Sequence, residues 1–323
     1  MKDTIYSFKR TEMKFLLTPY QHAVLLREIE NNIKPDDYPE SHIENIYYDT
    51  PTDYLIRTSL EKPIYKEKLR LRTYGVPTGD SPAFLEIKKK YDGIVYKRRI
   101  EVPYQTAMNY MCTPTGRDMH SPAFANIENL SDRQDAFHST NPADFIEDSQ
   151  IKREIDAFRD RYEGLRPRMV ISYDRKSYLA KDDPNLRITF DSRIRYRSED
   201  LDLTDGPWGK ELLENGYVLM ELKAAGAVPL AFARTLSRLA IRQTSFSKYG
   251  AGYMDEFKSA AQESAFSVDK SKMPLYNPVF NSDISNLALQ AAYHAACRTF
   301  CVFTIARYLI IFLYRRKYFS SFL

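Results

Sequence analysis

Arg70-Leu71-Arg72, Glu86-Ile87-Lys88, Arg193-Ile194-Arg195 and Glu221-Leu222-Lys223 each set charged residues two apart around an apolar one. On a strand, alternate side chains share a face, so each run would separate its charges from its apolar residues. Several such strands side by side would make a wall of cations. Guanidinium forks and ammonium groups at that spacing suit a polyanion, above all a phosphate chain. Glu12, Glu86 and Glu221 are interspersed among these cations. Carboxylates facing a phosphate site are the usual ligands of Mg2+ or Mn2+.

Positioning these residues requires a sheet. Period-two patterning marks eight strands: Tyr6 to Leu17, His42 to Tyr48, Glu67 to Tyr74, Ala83 to Lys90, Ile94 to Val102, Arg168 to Leu179, Leu186 to Arg195 and Tyr217 to Lys223. Asp92-Gly93 predicts a tight antiparallel hairpin. Helices are expected over Pro19 to Ile33, with Thr18 as N-cap, over Thr52 to Leu60, over Ile151 to Glu163, and over Val228 to Ile241. Closing about eight antiparallel strands would turn the charged face inward. The expected fold is therefore α+β: a closed antiparallel eight-stranded β-barrel tunnel with helices packed outside.

The tunnel domain is expected to span 1–257, with a helical insertion at about 104–166 where Pro114, Gly116, Pro122 and Pro142 break the pattern. Residues 258–286 read as a linker, and 287–323 as an apolar C-terminal helix. Within that helix Thr299 to Tyr314 is almost wholly apolar but carries Arg307, which leaves three readings: a snorkelling single span, an interfacial helix, or a buried helix or tail unrelated to the main domain. The net charge of +4, from 47 Lys and Arg against 43 Asp and Glu, is too small to indicate nucleic acid. The many Tyr and Phe fall at strand core positions rather than in a stacking motif, so no nucleic-acid partner is expected. Cys112, Cys297 and Cys301 form no metal or redox spacing, the five histidines are scattered, and no apolar leader opens the sequence. A cytoplasmic protein is expected, attached to the cytoplasmic face of a membrane if the C-terminal segment engages one, where a partner membrane protein would be available. GxxxxGK, GxGxxG and HExxH patterns do not occur.

Eight segments, in order, carry a resemblance: Arg10-Thr11-Glu12-Met13-Lys14-Phe15, Ile46-Tyr47-Tyr48-Asp49-Thr50-Pro51, Leu69-Arg70-Leu71-Arg72, Phe84-Leu85-Glu86-Ile87-Lys88, Tyr173-Asp174-Arg175, Leu186-Arg187-Ile188-Thr189-Phe190-Asp191, Met220-Glu221-Leu222-Lys223 and Ser245-Phe246-Ser247-Lys248-Tyr249-Gly250. Over roughly 5–255 the chain resembles the VTC domain, the polyphosphate polymerase branch of the triphosphate tunnel metalloenzymes, also called CYTH-like. The resemblance implies that Lys14, Arg70, Arg72, Lys88, Arg175, Arg187 and Lys248 are the catalytic, phosphate-binding residues of a tunnel. Lys97 or Arg98 would add a cation, with Arg10, Tyr173, Lys223 and Ser247 as further substrate contacts. Glu221 matches the family's metal-binding glutamate, with Glu12 and Glu86 as companions. The wider superfamily often opens with two alternating glutamates; here the first is Arg10. That departure favours polymerisation over multi-metal hydrolysis.

The resemblance thus implies an ATP-dependent polyphosphate polymerase. The alternatives are an inorganic triphosphatase of the same fold and a non-enzymatic module binding polyphosphate or inositol phosphates. Two residues have simpler readings. Asp49 is better suited to capping the helix after it than to metal binding, and Glu221 with Lys223 would alone be an ordinary strand pair.

Overall fold

The computed structural model describes residues 11–113 and 146–266, with side chains through 259. The chain divides into two units, Met1–Glu263 and Ser264–Leu323, and the sheet lies in the first. Arg10, the middle of the insertion and the apolar segment 287–323 lie outside the described residues.

Ten strands form one antiparallel sheet: β1 (Thr11–Leu17), β2 (Ile33–Asp49), β3 (Tyr65–Tyr74), β4 (Pro82–Tyr91), β5 (Ile94–Pro103), β6 (Arg166–Ala180), β7 (Arg187–Arg197), β8 (Lys210–Glu211), β9 (Val218–Ala224) and β10 (Gln243–Thr244). Their order is β10-β1-β9-β7-β6-β2-β3-β4-β5, with β8 beside β7. The sheet is not a closed eight-stranded barrel. β10 is too short to carry the ladder around, and the opposite edge, β5, carries Lys97-Arg98-Arg99 in succession, a charged guard against further pairing. The sheet nevertheless curls. Glu12 on β1 feels the charge of Lys88 on β4, although five strands lie between β1 and β4 along the sheet.

Local sequence explains most of the elements. Thr18 accepts from the Gln21 N–H while the Gln21 side chain accepts from the Thr18 N–H, a capping box that starts α1 (Pro19–Ile29). Ile33, expected at that helix's end, instead opens β2, which is far longer than its apolar core because polar residues 34–42 continue its pairing with β6. Asp92 and Gly93 both have positive φ, the geometry of the tight turn between β4 and β5. α2 (Tyr54–Leu60) starts two residues later than expected because Asp53 is left-handed. Asp49 still serves that helix: its carboxylate accepts from the N–H groups of Leu55 and Ile56.

α3 (Tyr104–Cys112) and α4 (Gln150–Arg161) belong to the expected insertion and bury Tyr104, Ala107, Tyr110, Ile155 and Phe158 against Leu69, Leu71, Leu85 and Ile87. Beneath β1, β7 and β9 lie α1 and α5 (Leu230–Arg238), which supply Leu25, Ile29, Phe232 and Leu236 to a core with Phe15, Leu17, Phe190 and Leu222. The last helix, α6 (Lys248–Phe266), continues beyond the point where the sequence suggests a linker. Tyr249 packs with Ile43, Tyr47, Met169, Ile171 and Tyr196 on the concave face. A Cβ at Gly252 would come within 2.8 Å of Met169 Sδ, so a larger residue there would displace the Met169 side chain where α6 approaches the sheet.

Candidate functional site

On the concave face, β3 presents Lys66, Lys68, Arg70 and Arg72, and antiparallel register sets β4 and β5 against them. Lys68 lies opposite Lys88, which lies opposite Lys97; Arg70 lies opposite Glu86, which lies opposite Arg99. The first row is three lysines abreast, a repulsive cross-strand arrangement. The second converges on Glu86: Arg70 approaches it at 2.6 Å, Lys97 at 2.6 Å and Arg99 at 3.9 Å. Burial would raise the Glu86 carboxyl, but Arg70, Arg72 and Lys97 hold it at about 2. Arg72 is fixed by Asn45 Oδ1 at 2.9 Å and donates to the Tyr173 hydroxyl at 3.3 Å.

The other half of the face is wired differently. Arg175 on β6 makes a two-pronged pair with Asp191 on β7, at 2.6 and 2.8 Å. Lys248, at the start of α6, binds the same carboxylate from below and lies 4.3 Å from the Tyr173 ring centre. Glu221 on β9 stands among Lys14 at 3.4 Å, Arg175 at 3.4 Å, Lys248 at 3.6 Å and Lys223 at 3.9 Å. Burial works against the charge on Glu221, yet Lys248, Lys14 and Arg175 keep its carboxyl well below the usual range. Lys14 also donates to the Phe246 carbonyl at 3.0 Å, which ties β1 to the turn entering α6.

Lys14, Arg70, Arg72, Lys88, Lys97, Tyr173, Arg175, Lys223, Lys248, Glu12, Glu86 and Glu221 therefore share one face, and Ser247 borders it through a 3.3 Å hydrogen bond from Lys68. Three expectations change. Arg98 points to the opposite face and pairs with Glu154 of α4, so of Lys97 and Arg98 only Lys97 belongs to the cluster. Arg187 is on the right face of β7 but at its end, half-exposed and bound to Asp36 at 2.7 Å. Arg193 and Arg195 leave the face altogether. Arg193 is left-handed at a bulge where the register with β6 shifts between Ser172 and Asp174, and the extra residue turns Ile194 inward, so Arg193 binds Asp174 and Arg195 binds Glu211.

Sequence reading assigned no role to Lys68, Arg99, Asp191 or Tyr47. For Lys68 and Arg99 the signal was present, since they continue the alternation of Arg70 and Lys97. Asp191 and Tyr47 acquire their roles only through contacts from other elements. Tyr47 stacks on Tyr249 at 4.6 Å and its hydroxyl accepts from Arg70 at 3.1 Å. Burial would raise that phenol, but Arg70, Lys68 and Arg72 bring it down to about 8.

The face holds more positive charge than it can balance. Burial and neighbouring lysines bring Lys68 down to about 8; burial, only partly offset by Glu86, does the same to Lys97. Burial also lowers Lys88 and Lys223. Among the described residues neither Lys68 nor Lys88 has a salt bridge, and no group of three or more His, Cys, Asp or Glu could hold a metal by itself. Glu86 is committed to arginine and lysine. Glu12 and Glu221 approach the Lys14 ammonium from two sides, at 3.5 and 3.4 Å, with Glu221 also among Arg175, Lys248 and Lys223. Two such carboxylates fit a divalent ion that takes its remaining oxygens from a bound phosphate.

Several solved structures show a distant likeness to the chain. A putative adenylate cyclase from Vibrio parahaemolyticus overlays with a TM-score of 0.35 at 12% identity, covering 76% of this chain and 97% of its own. A putative adenylyl cyclase from Hippeastrum, described as having a dominant triphosphatase activity, overlays with a TM-score of 0.36 at 12% identity, covering 77% and 95%. The PH1819 protein of Pyrococcus horikoshii gives 0.36 at 13%, covering 76% and 99%. No curated protein matches the sequence. The VTC domain model matches residues 9–256, which include every strand of the sheet and the start of α6, and the chain belongs to the VTC domain family.

Proposed function

We propose that the concave face binds condensed phosphate and that the protein transfers the γ-phosphoryl group of ATP to phosphate or to a growing polyphosphate chain. The observation that carries this reading is the lysine row Lys68, Lys88 and Lys97, in which only Lys97 has a carboxylate partner, beside the Arg70 and Arg72 forks. A chain with a negative charge on every phosphate would offset the burial, and the neighbouring positive charges, that lower these lysines.

Phosphoryl transfer needs little covalent help, only in-line positioning and neutralisation of the charge on the transferring group. Arg70 and Arg72 are held in orientation by Glu86, Asn45 and the Tyr47 and Tyr173 hydroxyls, so they would meet phosphate oxygens with little reorganisation. Arg175 and Lys248 are fixed through Asp191 and would form the rigid end of the site. Glu12 and Glu221 would hold Mg2+ or Mn2+, which when bound neutralises phosphate oxygens.

The test is to incubate the purified protein with ATP and Mn2+ or Mg2+ and resolve the products by phosphorus NMR and gel. A polymer resonance with matching ADP, lost in Glu221→Gln and in Arg72→Ala, is expected. Orthophosphate released from tripolyphosphate without polymer would assign hydrolysis instead. Binding of polyphosphate with neither product, and unaffected by Glu221→Gln, would assign a binding module.

A further inference from the structure

A second surface lies where the β4–β5 hairpin and the start of β3 project beyond the rest of the sheet. Tyr65 on β3 is opposite Tyr91 on β4, which is opposite Ile94 on β5; Tyr96 follows two residues later on the same face. Ile64, just before β3, is tied to the turn by its carbonyl, which accepts from the Asp92 N–H. On the remainder of that face α3 and α4 cover the apolar residues, but the row extends past them. Ile64 is 69% exposed, Tyr91 57%, Tyr96 54% and Ile94 47%. Contiguous exposed apolar side chains on a hairpin tip mark a contact surface.

The charges around the tip indicate what it contacts. Lys62 precedes the row, and Lys66 and Lys90 pair across the strands on its reverse face. Burial lowers Lys66, and Lys90 and Lys62 lower it further, so these three ammonium groups crowd one another. Glu61 and Asp92 are the neighbouring carboxylates without a salt bridge among the described residues. Glu154 is taken by Lys89 and Arg98, and Glu67 accepts from Arg161, Tyr65 and Tyr162. Tyrosines and branched aliphatics bordered by lysines have the composition of segments that settle at a bilayer surface, rings at headgroup depth and ammonium groups on anionic lipid. A second copy is a poorer occupant, because edge-to-edge pairing of β5 would bring Lys97-Arg98-Arg99 against itself.

We infer that the hairpin tip, Ile64, Tyr65, Tyr91, Ile94 and Tyr96 with Lys62, Lys66 and Lys90, docks on an anionic lipid bilayer surface. Lys66 and Lys90 stand at the outer end of the concave face, but vesicle binding is read independently of phosphate chemistry there. The chain has one tryptophan, Trp208, which makes the tip directly observable. In full-length protein carrying Trp208→Phe and Tyr96→Trp, emission from position 96 should shift to the blue with phosphatidylserine–phosphatidylcholine vesicles and be quenched by chain-brominated lipid. Pure phosphatidylcholine should produce little change. Lys62→Gln with Lys90→Gln should weaken vesicle binding about tenfold or more. Ile94→Asp should abolish the blue shift while far-UV dichroism and thermal unfolding stay unchanged.

Three results would overturn the inference. Protein that sediments with vesicles while position 96 remains unquenched places the lipid contact elsewhere in the chain. A blue shift without vesicles that grows with protein concentration assigns the tip to self-association. Absence of binding to anionic vesicles removes the lipid reading altogether.

Discussion

The two halves of the concave face use similar residues to opposite ends. Across β6, β7, β9, β1 and the start of α6, each buried cation has a carboxylate: Arg175 and Lys248 share Asp191, and Lys14 and Lys223 reach Glu221. Across β3, β4 and β5, Glu86 answers Arg70 and Lys97, but Lys68 and Lys88 have no salt bridge among the described residues. The first half is a completed ion network that fixes geometry. The second is a cationic surface whose balance has to come from a ligand. A phosphate site benefits from both, since one end positions and the other attracts.

The largest expected effect follows from breaking the completed half. Asp191→Asn strands Arg175 and Lys248 without their carboxylate in a buried position and should cost about 3–5 kcal/mol of stability in urea unfolding. Lys68→Met, in the unbalanced half, should be neutral or stabilising by up to about 1 kcal/mol, because it removes a repelled charge. Equal losses in both variants would erase the distinction. The next effect is on binding. Lys88→Met should weaken tripolyphosphate, measured by calorimetry, by about 1.5–3 kcal/mol, the range for a hydrogen bond to a charged group.

Titration sharpens the same contrast. Lys68 and Lys97 titrate at about 8 when folded against 10.5 for an ordinary lysine, so in that interval the unfolded chain binds more protons. Stability of the ligand-free protein should therefore rise as pH increases from about 8 towards 10.5, and that gain should be lost as pH falls through 8. Tripolyphosphate should remove this slope and bind with proton uptake near pH 8.5, visible as a dependence of binding heat on buffer ionisation. On the acid side Glu86 at about 2 stabilises the fold above its ordinary value of 4.5, and this contribution should disappear as pH drops to about 2. The smallest effect is expected from Tyr249→Phe. It removes the hydroxyl that donates to Asp49 at 2.9 Å and leaves the stacking on Tyr47, for a cost of about 1 kcal/mol in thermal unfolding.

Much of the site was legible because alternation is a local property. Arg70, Arg72, Glu86, Lys88 and Glu221 are visible as period-two charges, and Thr18 with Gln21, like Asp92 with Gly93, announces its own helix start or turn. Failures came where the period shifts or a partner is distant. The bulge at Arg193 inverts the face of every residue after it, which a run of charges in one strand does not reveal. Lys97 and Arg98 are adjacent in sequence, and only the register with Lys88 and Glu86 separates one from the other. α6 escaped notice because its burial depends on a sheet assembled from the rest of the chain, with Gly252 fitted to Met169.

By itself, then, the sequence determined the antiparallel strands, the segregation of charge from apolar residues along each, and the order of motifs that marks the VTC family. Those follow from backbone geometry and from patterns a few residues long. Tertiary structure decided that the sheet curls without closing, that Asp191 rather than water neutralises Arg175 and Lys248, and that Lys68, Lys88 and Lys97 stand abreast with a carboxylate partner for Lys97 alone. The reason is physical: side-chain alternation is set within a strand, whereas register, curvature and the burial of a charge depend on which distant strands come to lie beside it.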